Sequence, residues 1–207
     1  MIFIKFILQT LSFIAMIYLN TSLIRRCIII LEKPLYAAFI SNATLPNVNS
    51  SEYSKLISNI FEAIDTARSR GINYFLSDTG RGFNLIAPLI VLLHKIVNPE
   101  VRLCLQIPSK DRTGSWTGTQ RKCFNYILEN ADECVYLTEK HKNGCIAANT
   151  RCMIDRSSIV IAYIKQGEHH FDAMSYSIEK NREIIIVNPD AANIAYEQIK
   201  PLYTDYN

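Results

Sequence analysis

The residues best suited by type and spacing to hold a ligand fall in one short stretch, Ser77-Asp78-Thr79-Gly80-Arg81-Gly82-Phe83-Asn84. A β-prone run, Ile72 to Leu76, precedes it, and an apolar, helix-like run from Phe83 to Leu93 follows. Strand, glycine-containing turn and helix make up the first half of a βαβ unit. Where a helix begins just past the carboxyl end of a strand, its first backbone N–H groups lack partners and favour an anion. Gly80 and Gly82 would let a ligand approach the main chain closely. Ser77 and Asn84 bound the loop and offer hydrogen bonds, and Arg81 has the fork geometry that pairs with a phosphate. A Gly-x-Gly spacing is common on its own, so its weight depends on what surrounds it.

Three further loops follow predicted strands: Ile107–Trp116, Thr138–Arg151 and Lys165–His170. Arg112 is a second candidate for a phosphate, and Trp116 for stacking on a base. The plainer readings are solvated surface arginines and a tryptophan that anchors its loop. His141, Cys145, Cys152, His169 and His170 raise the question of a metal. His141 and Cys145 stand at i, i+4, but no partner pair has an established zinc spacing, so no metal site is expected. Nothing in the sequence requires a resident cofactor. There is no G-x-S-x-G elbow and no recognisable cysteine-nucleophile signature. Asp78, Asp111 and Asp155 are the candidate carboxylates, with no two brought together by spacing. Asp78 and Asp155 remain weak catalytic candidates, since an N-glycosidic hydrolase can work with a single carboxylate.

Stepping along the chain gives the elements that must position these groups. Leu35–Ile40 reads as the first strand, and Ser51 as the cap of a helix over Glu52–Arg70. In that helix Leu56, Ile57, Ile60, Phe61, Ile64 and Ala67 recur at helical spacing, and Gly71 stops it. Pro88 either marks the start of the regular helix near Ala87 or kinks it. Strands are expected at Val101–Ile107, Cys134–Leu137, Ser158–Ile164 and Glu183–Val187. Helices are expected at Thr119–Asn130, Ile146–Asp155 and Phe171–Asn181, with another in the tail, Ala191–Leu202. Regular alternation of strand and helix implies an α/β domain, a mostly parallel sheet with helices on both faces. Ligands of such sheets sit at the carboxyl ends of the strands, where strand order reverses.

With 207 residues the chain can bury the core of one such domain and still carry an appendage. Its formal charge of +3, without a Lys/Arg run, gives no strong nucleic-acid signal. None of the six cysteines forms a C-x-x-C pair, which fits a reduced, cytoplasmic protein. Cys104, Cys123 and Cys134 fall in predicted elements, where cysteine acts as a small buried hydrophobe. Residues 1–34 form an apolar extension. Met1 to Ile24 is long enough to span a bilayer, and Arg25-Arg26 would keep the following domain on the cytoplasmic side. A buried helix or a signal peptide competes with that reading, although no convincing cleavage site follows. Residues 35–190 are expected to form the folded domain and 191–207 a tail.

From Tyr36 to Pro189 the order of motifs resembles the YpsA-like family of the SLOG superfamily, Rossmann-like proteins related to DprA and to the LOG phosphoribohydrolases. Trp116-x4-Arg121-x2-Phe124-x2-Ile127-Leu128-x2-Ala131-Asp132 is similar to the family's W…RY..IL..AD helix. Gly144-Cys145, then Arg151-Cys152-Met153-Ile154-Asp155-Arg156-Ser157, is similar to its GC…RNRYMVD.S block. Ser77 to Ala87 resembles its glycine-rich SGxAxGxDxxAA loop. The departures fall where the family would touch a ligand. The TGHRP segment is Ser41-Asn42-Ala43-Thr44 here, the loop's Asp is Asn84, and the Arg-Asn pair is Asn149-Thr150 with Arg151 kept. The later Gly-Gly-Thr phosphate loop is Glu168-His169-His170, preceded by Gly167.

The resemblance implies a Rossmann-like three-layer sandwich. Its ligand-binding residues would include Ser77, Gly80, Arg81, Gly82, Asn84, Trp116, Arg121, Arg151, Asp155, Gly167 and His169. The function expected is binding or sensing of a nucleotide-derived small molecule without catalysis, with self-association as a possible form. A phosphoribohydrolase-like N-glycosidic hydrolase and an interaction protein with a vestigial crevice are the alternatives.

Overall fold

The computed structural model describes residues 35–41, 43–164 and 172–188. The possible membrane segment, Gly167, His169 and the tail lie outside these residues. Among the described residues no helix is long and apolar enough to cross a membrane.

Six strands form one all-parallel sheet: β1 Tyr36–Ser41, β2 Tyr74–Ser77, β3 Arg102–Ser109, β4 Glu133–Thr138, β5 Ser157–Tyr163 and β6 Glu183–Ile186. Their order is β4-β3-β2-β1-β5-β6. Five helices connect them: α1 Ser51–Ser69, α2 Phe83–Val97, α3 Gly118–Asn130, α4 Cys145–Arg156 and α5 Asp172–Glu179. The expected Rossmann-like α/β architecture is therefore present. The chain winds outward from β1 to β4, then returns to the other side of β1 to lay down β5 and β6. The direction reverses between β1 and β5, which makes their carboxyl ends the switch point.

Strand residues alternate between the two faces, and both faces are buried, as in a sheet with helices on each side. Ala37, Phe39, Phe75, Leu103, Leu105, Ile159 and Ile161 pack with the apolar stripes of α1, α2 and α3. Ala38, Leu76 and Cys104 pack on Met153 of α4, while Ile40, Val160 and Ala162 meet Ile154 of α4 and Met174 of α5. Cys104 is buried as expected, and burial pushes its thiol up to about 12. Cys134, expected to be buried, is exposed, because β4 is an edge strand with a partner on one side only.

Local chemistry moves some boundaries from those expected. Ser50 caps α1 in place of Ser51, its hydroxyl accepting from Tyr53 N at 3.2 Å. Thr117 and Gln120 form a reciprocal capping box at the start of α3. Helix α2 starts at Phe83, so Pro88 lies inside it. Proline has no N–H to offer the carbonyl four residues back, and that carbonyl belongs to Asn84. The buried Ser77 hydroxyl supplies the missing donor, 3.0 Å from Asn84 O, and also accepts from Thr79 N at 3.0 Å. One hydroxyl at the end of β2 thus repairs the helix and fixes the turn before it.

We predict that Ser77→Ala destabilises the protein by about 1–3 kcal/mol in urea unfolding, since two buried backbone groups lose their partner. Ser77→Ala combined with Pro88→Ala should recover part of the loss, because the Asn84 carbonyl regains an N–H.

Candidate functional site

The turn after β2 is held by a carboxylate. Asp78 is buried; its Oδ1 accepts from Gly80 N and from Asn84 Nδ2, each at 2.8 Å. Its Oδ2 meets Arg112 Nη2 at 3.1 Å, and Arg112 Nη1 donates to the Asp78 carbonyl, also at 3.1 Å. Asp78 therefore shapes its own loop and fastens the loop after β3 to it. Thr79, fully buried, takes φ 54°, a left-handed conformation that is unusual for a β-branched residue. At Gly80 a side chain is opposed for a different reason. A Cβ there would lie 2.7 Å from Arg112 Nη2 and 3.0 Å from Asp78 Oδ1.

Above this turn a cavity of about 500 Å³ opens at the carboxyl ends of β1, β2 and β5. Its rim includes the first turns of three helices: Asn84 of α2, Ile146 and Ala147 of α4, and Asp172 to Met174 of α5. The N-caps of α2 and α4 are Gly82 and Gly144, and neither supplies a side chain to its helix. Among the described residues Leu85 N donates to Gly82 O and Cys145 N to Lys142 O, which leaves the N–H groups of Phe83, Asn84, Ile146 and Ala147 to solvent or to a ligand. Phe39, Met153 and Tyr163 give the cavity an apolar floor, while Asp78, Arg81, Arg112 and Arg151 supply charge. The Tyr163 hydroxyl donates to Thr44 O at 3.3 Å, tying the segment after β1 to the end of β5. The Tyr163 ring stacks on Phe83, which seats the start of α2 at the switch point. Asn84 Oδ1 is buried without a partner among the described residues, while Asn84 Nδ2 is held by Asp78.

Of the residues singled out in the sequence, Asp78, Gly80, Arg81, Asn84, Arg112 and Arg151 line this one crevice. Others are placed differently. Ser77 is fully buried beneath the loop and serves the backbone, and Gly82 sits at the α2 N-cap near Leu45. Trp116 is 7% exposed and edge-on to Phe124 at 5.5 Å, so most of its surface anchors α3 in the core. Arg81 lies over its ring, 5.9 Å from the centroid, and donates to Ser115 O and Oγ. Arg121 is outside the crevice and donates to Trp116 O at 3.3 Å.

Asp155 is a correction with a topological cause. A helix that follows a parallel strand runs back along the sheet, so Asp155, near the end of α4, is carried away from the carboxyl ends of the strands. It does not line the crevice, and its carboxylate accepts from the Tyr176 hydroxyl at 2.9 Å. The sequence reading missed Tyr163, Ile164 and the start of α5, which reach the crevice because β5 lies beside β1. The legible signal for them was the rule that places ligands at the switch point.

A second cavity, about 430 Å³, adjoins the first and is lined by Arg81, Asp111, Arg112, Ser115, Trp116, His141 and Ile146. Here His141 N donates to both oxygens of Asp111, at 2.9 and 3.1 Å, and this hydrogen bonding holds the Asp111 carboxyl below its ordinary value. His141 Nδ1 lies 3.3 Å from Cys145 Sγ. Among the described residues no three potential ligands gather into a metal site.

This architecture has a counterpart among solved structures. The chain resembles DNA processing protein A. The structure concerned is that of the Helicobacter pylori protein, described for its unique mode of binding single-stranded DNA. It matches over 84% of this chain and 83% of its own, at 17% identity and a TM-score of 0.51. At that identity the likeness shows the fold alone, a Rossmann-like α/β architecture, and it does not single out the YpsA-like branch. No family model matches the chain, and no curated protein does. The likeness corrects one expectation. The absence of a strong nucleic-acid signal rested on a modest net charge and the lack of a Lys/Arg run, yet the neighbour in fold is described for binding single-stranded DNA. Net charge reports nothing of local surfaces, and the exclusion of nucleic acid falls.

We predict that Gly80→Ala destabilises the fold by about 1–3 kcal/mol, because the new methyl group must displace the Arg112 guanidinium or the Asp78 carboxylate. In an Arg112→Ala background the same change should cost less. The difference, read from a double-mutant cycle in chemical denaturation, measures the contact.

Proposed function

We propose that this protein is a binding module for a nucleotide-derived ligand, a divergent SLOG-type domain of YpsA-like character that does not depend on catalysis. One observation carries the reading: the switch-point crevice, onto which the glycine-capped starts of α2 and α4 open beside Arg81 and Arg151. Helix N-termini and guanidinium groups suit a phosphate. The apolar floor suits the less polar remainder of a nucleotide. The order of motifs along the chain supports the YpsA-like assignment. The single-stranded-DNA binding described for the neighbour in fold supports a nucleotide presented within a strand as a form of the same ligand.

The hydrolase reading has less support. The crevice-lining Asp78 accepts from Gly80, Asn84 and Arg112 at once, which leaves its carboxylate committed to the loop. The second carboxylate considered, Asp155, lies at the far end of α4.

Titration of nucleoside monophosphates and short oligonucleotides, followed by calorimetry and by thermal melting, tests the proposal. A bound ligand must raise the melting temperature, by the equivalent of about 2.7 kcal/mol at a hundredfold excess over Kd. Arg151→Ala should weaken binding about tenfold and lower the melting temperature of the free protein only slightly, through loss of its contact with the Tyr176 ring, 5.4 Å away. No shift with any nucleotide would overturn the reading, and release of free base that is lost in Asp78→Asn would replace it with the hydrolase.

A further inference from the structure

We infer that the crevice and its neighbour form one bipartite site, built for two nucleoside units joined through a single phosphate. The inference rests on the proposed nucleotide-binding function and adds to it the size and charge of the ligand. The two cavities, about 500 and about 430 Å³, share Arg81, Arg112 and Ile146 as a common wall. Each falls within the roughly 300–1,000 Å³ typical of a small-molecule site. A ligand that filled only one of them would leave a comparable, connected volume beside it.

The shared wall is the polar waist of the pair. Arg112 engages Asp78 through Nη1 and Nη2, and Arg81 engages Ser115 through Nη2. A guanidinium has five N–H donors, so both retain donors for a phosphate oxygen while holding their protein partners. Ile146 belongs to the first turn of α4, which brings the start of that helix to the same wall. A phosphate at the waist would therefore meet donors from the loops after β2 and β3 and from the helix after β4.

The balance of charge limits the number of phosphates. Among the described lining residues of the two cavities, Arg81, Arg112 and Arg151 stand against Asp78, Asp111 and Asp172. Asp111 and Asp172 lie on opposite sides of the waist, each lining one cavity alone. A polyphosphate reaching into either would meet a carboxylate, whereas one bridging diester stays between the arginines. The outer parts of the site suit nucleosides. The first cavity offers an apolar floor, and the second is lined by Trp116 and His141.

Affinities of the full chain for dAMP, the dinucleoside monophosphate dApdA and the ten-residue strand dA10 test this. dApdA should bind about tenfold or more tightly than dAMP, as expected for one additional seated base. His141→Ala removes the ring at an exposed position that lines only the second cavity. It should abolish most of the advantage of dApdA and leave dAMP binding unchanged. A gain that stops at dApdA identifies a free dinucleotide as the ligand, and a gain that continues to dA10 identifies a strand; both support the two-unit site. Equal affinity for dAMP and dApdA, or an advantage undiminished in His141→Ala, overturns the bipartite site while leaving the proposed function standing. Failure of all three probes to bind overturns both.

Discussion

The buried carboxylate of Asp78 is the constraint on which the crevice depends. A carboxylate removed from water must be met by hydrogen bonds or by an opposite charge. Asp78 has both, from Gly80 N, Asn84 Nδ2 and the Arg112 guanidinium. Each donor comes from a different part of the site: the turn itself, the first turn of α2, and the loop after β3. Satisfying one anion therefore fixes three segments relative to one another. The same arrangement explains why Gly80 has no room for a side chain and why the strained backbone at Thr79 is held in place.

A second polar cluster aims the opposite wall. Asn149, fully buried in α4, donates to the carbonyl of Gln106 at 2.7 Å. Gln106 Nε2 reaches back to Asn149, and Gln106 Oε1 accepts from Arg156 at 2.8 Å. These contacts fix α4 in both position and rotation over β3. That rotation turns Gly144, Ile146 and Arg151 toward the crevice, which Asp155 does not line. Side chains one helical repeat from the site thus decide which residues can reach it.

Much of the architecture was legible in the sequence. Hydrophobic periodicity located all five described helices and six strands to within a few residues, and their alternation implied a parallel sheet. The glycine loop after β2 was legible as well, because strand, glycine and helix starts carry local signals. The pairing of Asp78 with Arg112, 34 positions apart, was not, because no local pattern encodes which loops converge. Trp116 was ambiguous for a related reason: an aromatic residue in a loop looks alike in sequence whether its face is covered by Phe124 or left bare. The nucleic-acid expectation failed because neither a net charge nor the lack of a Lys/Arg run says which side chains far apart in sequence meet on the surface.

The return of the chain from β4 to β5 has a consequence for when the site comes into being. Strands β1 to β4 are added to the sheet one beside the next, each paired with the strand that precedes it in sequence. The seam between β1 and β5 is different: Ser158 Oγ reaches Tyr36 O across 122 positions of the chain. Contacts of such separation carry a large loop-closure cost and depend on the intervening structure being in place. The crevice lies over that seam, with Phe39 and Tyr163 on either side. A nascent chain that has emerged only as far as β4 can already hold the Asp78 loop, yet it has no crevice for the loop to serve.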